Sequence, residues 1–220
     1  MPAAIFFDVD GTLIDSNDLH AAAWREAFLH FGHDIPIETV HGQIGKGGDN
    51  LIPTLLPDIG AEEQARIEEY RSSLFKRDYL PRVVPFPGVR PLFERLYGDG
   101  QLIVLASSAS EEEVAFHMSL TGCADLIFAT TSHSDVEHSK PCPDIFASAL
   151  DKVGPIEAPD VVVIGDSPYD MEAAAKLGIA SIGLLSGGFP EAVLREAGAA
   201  EIHADISALL AAYEHSLIGR

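Results

Sequence analysis

Asp8 and Asp10 stand two residues apart at the end of a short apolar run, Ile5-Phe6-Phe7, and Gly11 follows closely. Residues i and i+2 of an extended segment face the same side, so both carboxylates can face one small volume. Two such acids at the mouth of a buried strand repel each other and need compensation, for which a metal ion is the simplest candidate. Farther along come Ser107 and Ser108, then Lys140 in Ser-Lys-Pro-Cys-Pro, then Asp166 with Asp170 close behind. Singly, each has an ordinary explanation: aspartates after strands cap helices, serines occupy loops, and lysines are solvated. Gathered at one place, they form an oxygen-rich donor set with one ammonium.

That set suits phosphate chemistry. A carboxylate approaching a phosphate dianion meets a repulsion of about 8 kcal/mol at about 4 Å and an effective dielectric of about 20. Mg²⁺ and one lysine together reverse the sign of that interaction. Mg²⁺ takes an octahedron of oxygens, a few of them carboxylates, with waters and substrate phosphate filling the rest. Asp8, Asp166 and a backbone carbonyl meet that demand, and serine hydroxyls with turn amides suit the remaining phosphate oxygens.

The scaffold must bring these distant stretches together. Apolar runs predict strands over 5–7, 102–105, 126–129, 161–164 and 181–185, alternating with helices over 88–97, 143–153 and 168–177. Ser110 to Glu113 reads as a capping box for one more helix, and two further helices close the chain. Strands that are apolar throughout and alternate with helices imply a doubly wound α/β fold, a parallel sheet covered on both faces. Between the first two strands lies a helical insertion without a convincing strand. It begins with an amphipathic helix over 18–31, which Ser16 or Asn17 can cap, and includes a charged helix over 62–79 with Ile67, Tyr70, Leu74 and Phe75 on one side. The expected division is a core of 1–16 and 86–220 and an insertion of 17–85. Ligands of such sheets bind beyond the carboxyl ends of the strands, where the winding reverses.

The chain's 220 residues suffice for one large domain, or for a core with a smaller insertion. A net charge of −20 argues against nucleic acid and anionic membranes as partners. No run of 18 apolar residues and no signal-like amino terminus appear, so neither a membrane span nor a leader is expected. Cys123 and Cys142 match no zinc or disulfide spacing, which makes a reducing cytoplasm the default. His41, His133 and His138 read as ordinary polar residues, and Ser186-Gly187-Gly188-Phe189 as a turn. Arg71, Lys76 and Arg77 are assigned to a solvated helix face, with core-facing placement of one of them, to help bind a second anionic group, as the alternative.

Four ordered stretches then carry a resemblance: Asp-Val-Asp-Gly-Thr-Leu-Ile-Asp-Ser, the strand ending Ala-Ser-Ser, Ser-Lys-Pro-Cys-Pro-Asp-Ile-Phe, and Gly-Asp-Ser-Pro-Tyr-Asp. They resemble the motifs of the haloacid dehalogenase-like hydrolase superfamily, and the insertion resembles its small helical cap. The resemblance implies Asp8 as the nucleophile that forms an aspartyl-phosphate, and Asp10 as general acid and then base. It implies a Mg²⁺ site at the Asp8 side chain, the Asp10 carbonyl and Asp166, with Asp170 behind, and phosphate contacts from Ser107, Ser108 and Lys140. His20, in a segment resembling the hinge of the β-phosphoglucomutase subgroup, would align Asp10. The loop Gly45-Lys46-Gly47-Gly48 occupies the specificity-loop position.

The expected activity is a Mg²⁺-dependent phosphatase of a small phosphorylated metabolite, acting as monomer or homodimer. A sugar phosphomutase is the alternative, disfavoured because no arginine lies near the 45–48 loop. A phosphonoacetaldehyde hydrolase using Lys46, or a non-catalytic phosphometabolite binder, ranks lower. Asp10 argues against dehalogenation.

Overall fold

The computed structural model describes residues 1–220 except the side chain of His133, which therefore lies outside the described residues. Six parallel strands form the main sheet: β1 (Ala4–Phe7), β4 (Leu102–Ala106), β5 (Ala129–Thr131), β6 (Val161–Gly165), β7 (Ala180–Leu184) and β8 (Glu201–His203). Their order is β5-β4-β1-β6-β7-β8, which places β1 between β4 and β6. The carboxyl ends of β1, β4 and β6 therefore converge where the chain reverses its winding.

Every side chain of β1 is buried, and the alternation divides them between two cores. Ile5 and Phe7 pack with Leu92, Phe93 and Leu96 of α5 (Val89–Gly98) and with Val114 and Met118 of α6 (Glu111–Thr121). Ala4 and Phe6 face the other way, onto Ile145, Phe146 and Ala149 of α7 (Asp144–Val153) and Ala173 and Ala174 of α8 (Pro168–Lys176). Fully buried Ile and Phe side chains each contribute roughly 1.5–3 kcal/mol, so the strand bearing Asp8 is anchored from both faces.

The helical lobe has its own core. Trp24, Ala27 and Phe28 of α1 (Asn17–His30) pack with Val40 of α2 (Ile37–His41), with Leu51 and Ile52 of α3 (Gly48–Leu55) and with Ile67 of α4 (Ala61–Leu74). A π-helical turn, Phe75–Tyr79, continues α4, and Leu74 and Phe75 join the core beneath the sheet's upper edge.

Three expectations need correction. The third strand is Ala129–Thr131 rather than 126–129, and Ala124–Leu126 is a 3₁₀ turn. Phe128 is more than half exposed, whereas Thr131 is buried with its hydroxyl donating to the Leu105 carbonyl at 3.2 Å, so apolarity misplaced the burial. The edge strand β8 went unforeseen because Glu201-Ile202-His203 is half-buried and joins only β7, through backbone pairing. The insertion also ends in a strand. Val84–Pro85 (β3) pairs antiparallel with Ile14–Asp15 (β2), a two-stranded connection between lobe and core too short to show any period.

Candidate active site

At the end of β1 the Asp8 carboxylate faces the fully buried Lys140, whose ammonium lies 2.5 Å from Asp8 Oδ1 and 2.7 Å from Asp170 Oδ1. The same ammonium donates to the Ala106 carbonyl at 3.0 Å, which ties it to the end of β4. Burial works against this charge, but Asp170 and Asp8 hold it above the usual lysine range. Asp8 is pushed well up: burial dominates, the charges of Asp170 and Asp166 add to it, and Lys140 opposes. Repulsion at Asp8 thus comes from Asp170 of α8 and from Asp166, just past β6.

One oxygen each of Asp8, Asp166 and Asp170 lie within 4.8 Å of one another. Asp170 Oδ2 accepts from the Ser167 N–H at 3.1 Å and the Ser167 hydroxyl at 2.6 Å, so the acid that caps α8 also aims Oδ1 at the cluster. Asp166 is fixed by the Thr12 hydroxyl at 3.0 Å and the Asn17 amide at 2.8 Å. Burial and the Asp170 charge nevertheless push its carboxyl up to about 7. Glycines enclose Asp166: a Cβ on Gly187 would fall 1.9 Å from its Oδ2, and one on Gly11 2.4 Å away. Three buried carboxylates with so little compensation fit a hard divalent ion, and their all-oxygen chemistry suits Mg²⁺.

Asp10, two residues beyond Asp8, lines the same cavity but has its own partners. Its Oδ1 accepts from His20 Nε2 at 2.9 Å and from the Ser16 hydroxyl at 2.6 Å. Burial pushes the Asp10 carboxyl up, but its interaction with His20, with the Ser16 hydroxyl adding to it, outweighs burial and holds it well below the carboxylate range. The His20 ring stacks on Phe75 at 4.0 Å, and its Nδ1 accepts from Arg71. Burial pushes the imidazole pKa down despite Asp10, and Arg71 adds to that; because Arg71 donates to Nδ1, Nε2 is the nitrogen that donates to Asp10. Neither Ser16 nor Asn17 caps α1 with its side chain, because both are drawn into the site.

Asp8, Asp10 and His20 line a cavity of about 180 Å³ between lobe and core. Ser108, Gly45, Lys46 and Gly47 line it too, as do Glu68, Arg71 and Glu113. Ser107 is outside the lining; its buried hydroxyl accepts from the Ala109 N–H at 3.0 Å within the turn after β4. The Lys46 ammonium donates to Gln43 Oε1 at 2.7 Å and Thr54 Oγ1 at 3.3 Å and lies over the Tyr169 ring.

Arg71 corrects the reading of its helix as solvated. It stacks over Trp24 and Phe75, each at 5.0 Å, and lines the same cavity as the 45–48 loop, an arginine that sequence proximity did not reveal. Thr12, Asn17 and Gly187 carry no local sequence signal for these contacts: Asn17 reads as a cap and Gly187 as part of a turn. His41 pairs with Asp18 at 3.1 Å and His138 with Asp144 at 3.3 Å, in keeping with ordinary polar roles.

The chain matches the family model described as haloacid dehalogenase-like hydrolase over residues 5–184. A phosphoglycolate phosphatase of Yersinia pseudotuberculosis is 32% identical over 188 residues, spanning 83% of this chain and 81% of that protein. The fructose-1-phosphate phosphatase YqaB of Escherichia coli is 27% identical over 188 residues, spanning 82% of this chain and 95% of its own. A solved hydrolase from Pseudomonas syringae superposes with a TM-score of 0.91 at 29% identity, covering 98% of this chain and 99% of that one. The match over residues 5–184, together with the ordered motifs and the parallel core that assembles them, makes this chain an enzyme of the haloacid dehalogenase-like hydrolase family.

Proposed function

We propose that this hydrolase is a Mg²⁺-dependent phosphatase of a small phosphorylated metabolite, acting through an aspartyl-phosphate on Asp8. The observation that carries this reading is the pairing of Asp8 with Lys140 and two further buried acids, in one cavity with a separately hydrogen-bonded Asp10. A protein that merely bound phosphate would have no use for a nucleophile and a proton carrier held in different electrostatic states. The names of the phosphatase relatives support the same reaction class.

Asp8, the Asp10 carbonyl and Asp166 would hold the ion, with Asp170 at its edge. When bound, Mg²⁺ supplies positive charge that keeps Asp8 ionised and offsets the phosphate's charge. Lys140 holds Asp8 Oδ1, orienting the other oxygen for attack on phosphorus as the alcohol departs. Asp10 enters the first step protonated and gives that proton to the leaving alcohol; the carboxylate so formed takes a proton from the water that cleaves the acyl phosphate, which returns Asp10 to its acid form. The carboxylate form held by His20 and Ser16 is the form required of the base. Ser108 contributes a phosphate contact from the turn after β4; Ser107 supports that turn. Residues 17–85 act as the cap that closes over a core of 1–16 and 86–220, excluding water during transfer.

The test is Mg²⁺-dependent phosphate release from p-nitrophenyl phosphate. Asp8→Asn should abolish it, and retention of activity in a clean preparation would falsify the nucleophile assignment. A panel of phosphorylated metabolites, with β-glucose 1-phosphate plus catalytic bisphosphate as one member, then separates phosphatase from mutase.

A further inference from the structure

The 45–48 loop and the first turn of α3 reach across the cleft to Ser139, the residue before Lys140. Asp49 accepts twice from it: the Ser139 N–H donates to Oδ2 at 3.0 Å and the hydroxyl to Oδ1 at 2.5 Å. The Gly47 N–H donates to Ser139 Oγ at 3.0 Å. Asn50 Nδ2 donates to the Ser139 carbonyl at 3.0 Å and lies 3.3 Å from the Lys140 carbonyl. All of this is packed closely, since a Cβ on Gly47 would fall 2.6 Å from Ser139 Cβ. Another contact across the cleft, Lys76 to Glu112 at 2.8 Å, is largely solvated and of the kind that contributes little.

We propose that Asp49 is a positioning residue: with the lobe over the core, Asp49 and Asn50 fix the Ser139–Lys140 backbone and so hold the Lys140 ammonium between Asp8 and Asp170. The inference rests on the assignment of Asp8 as nucleophile. Lysine has a long, flexible stem, so its ammonium is placed only as well as its backbone is. Hydrogen bonds to a carboxylate are among the stronger ones, and Asp49 directs two of them at one residue. Cap closure and the charge state around the nucleophile are thereby joined through one peptide. Asp49 acts through Lys140 and does not line the cavity floor.

The experiment is steady-state hydrolysis of p-nitrophenyl phosphate by the full chain at saturating Mg²⁺. Asp49→Ala should lower kcat about tenfold to a hundredfold while KM moves less than about threefold. Asp49→Asn keeps one acceptor oxygen and should recover part of that loss, carrying the test if the alanine variant folds poorly. In a Ser139→Ala background the effect of Asp49→Ala should shrink, because the two share one interaction. Lys76→Met should keep kcat within about twofold. An unchanged kcat in folded Asp49→Ala, a rise in KM alone, or equal losses in both backgrounds would overturn the proposal. Asp8→Asn that stays active removes the nucleophile assignment and this proposal together. An inactive Asp8→Asn beside an unimpaired Asp49→Ala removes the positioning role only.

Discussion

His20 presents Nε2 to Asp10 Oδ1 at 2.9 Å, and Arg71 on its far side fixes which ring nitrogen carries the proton. The two residues lie ten apart in sequence, at either side of the connection between core and lobe. Their contact therefore ties Asp10, the proposed proton carrier, to the position of the lobe.

Removing that partner should change the pH dependence. His20 and Ser16 hold Asp10 low against burial, so His20→Ala should raise its pKa. A base must be deprotonated, so the acid limb of the kcat profile should move to higher pH, by about one unit or more if a charge-assisted bond is lost. A profile that superposes on the wild type would remove His20 from this role.

Metal binding should be linked to protons. Asp166 is pushed up to about 7, first by burial and then by Asp170. The raised pKa favours the protonated fold, so without metal its contribution to stability is present at low pH and is lost as pH rises from about 4, the ordinary carboxyl value, through 7. The ion requires the carboxylate, so its stabilising effect should grow over the same window. Thermal unfolding with and without Mg²⁺ should show a larger increase in Tm at pH 8 than at pH 5.5; a larger increase at the lower pH contradicts this.

Lys140→Met should destabilise the fold strongly. It leaves Asp8 and Asp170 buried without their cation, and breaking a buried pair on one side costs about 3–5 kcal/mol. Urea unfolding would measure this, and added Mg²⁺ should restore part of the loss by supplying positive charge. A change under about 1 kcal/mol would match a solvated surface pair instead.

Gly187→Ala probes the enclosure of Asp166. A Cβ there would overlap Asp166 Oδ2, so the carboxylate must turn away from its Thr12 and Asn17 partners. Disturbing a ligand's supports should weaken Mg²⁺ binding about 10–100-fold, as seen by calorimetry. Unaltered affinity would show that the loop after β7 plays no part in holding that acid.

The chemistry on the strand ends was legible in the chain because each acid follows a short apolar run whose burial is forced. Ile5-Phe6-Phe7 and Val161-Val162-Val163-Ile164 can only be central strands, and the residues after them must emerge at the same edge. The Ser110 to Glu113 capping box was equally local, with Glu113 N–H donating to Ser110 Oγ and Ser110 N–H to Glu113 Oε2. Strand ends set by polar or exposed residues, such as Thr131 and Glu201, lacked that signal.

The partners of the acids were a different matter. Asn17 reaches Asp166 across 149 positions, Arg71 reaches His20 across 51, and Asp49 reaches Ser139 across 90. Local order cannot encode these contacts, because they depend on how the helical lobe settles on the sheet. Which acids stand together follows from hydrophobic burial along each strand; the electrostatic state of each follows from tertiary partners, Lys140 and Asp170 for Asp8 and His20 of the lobe for Asp10.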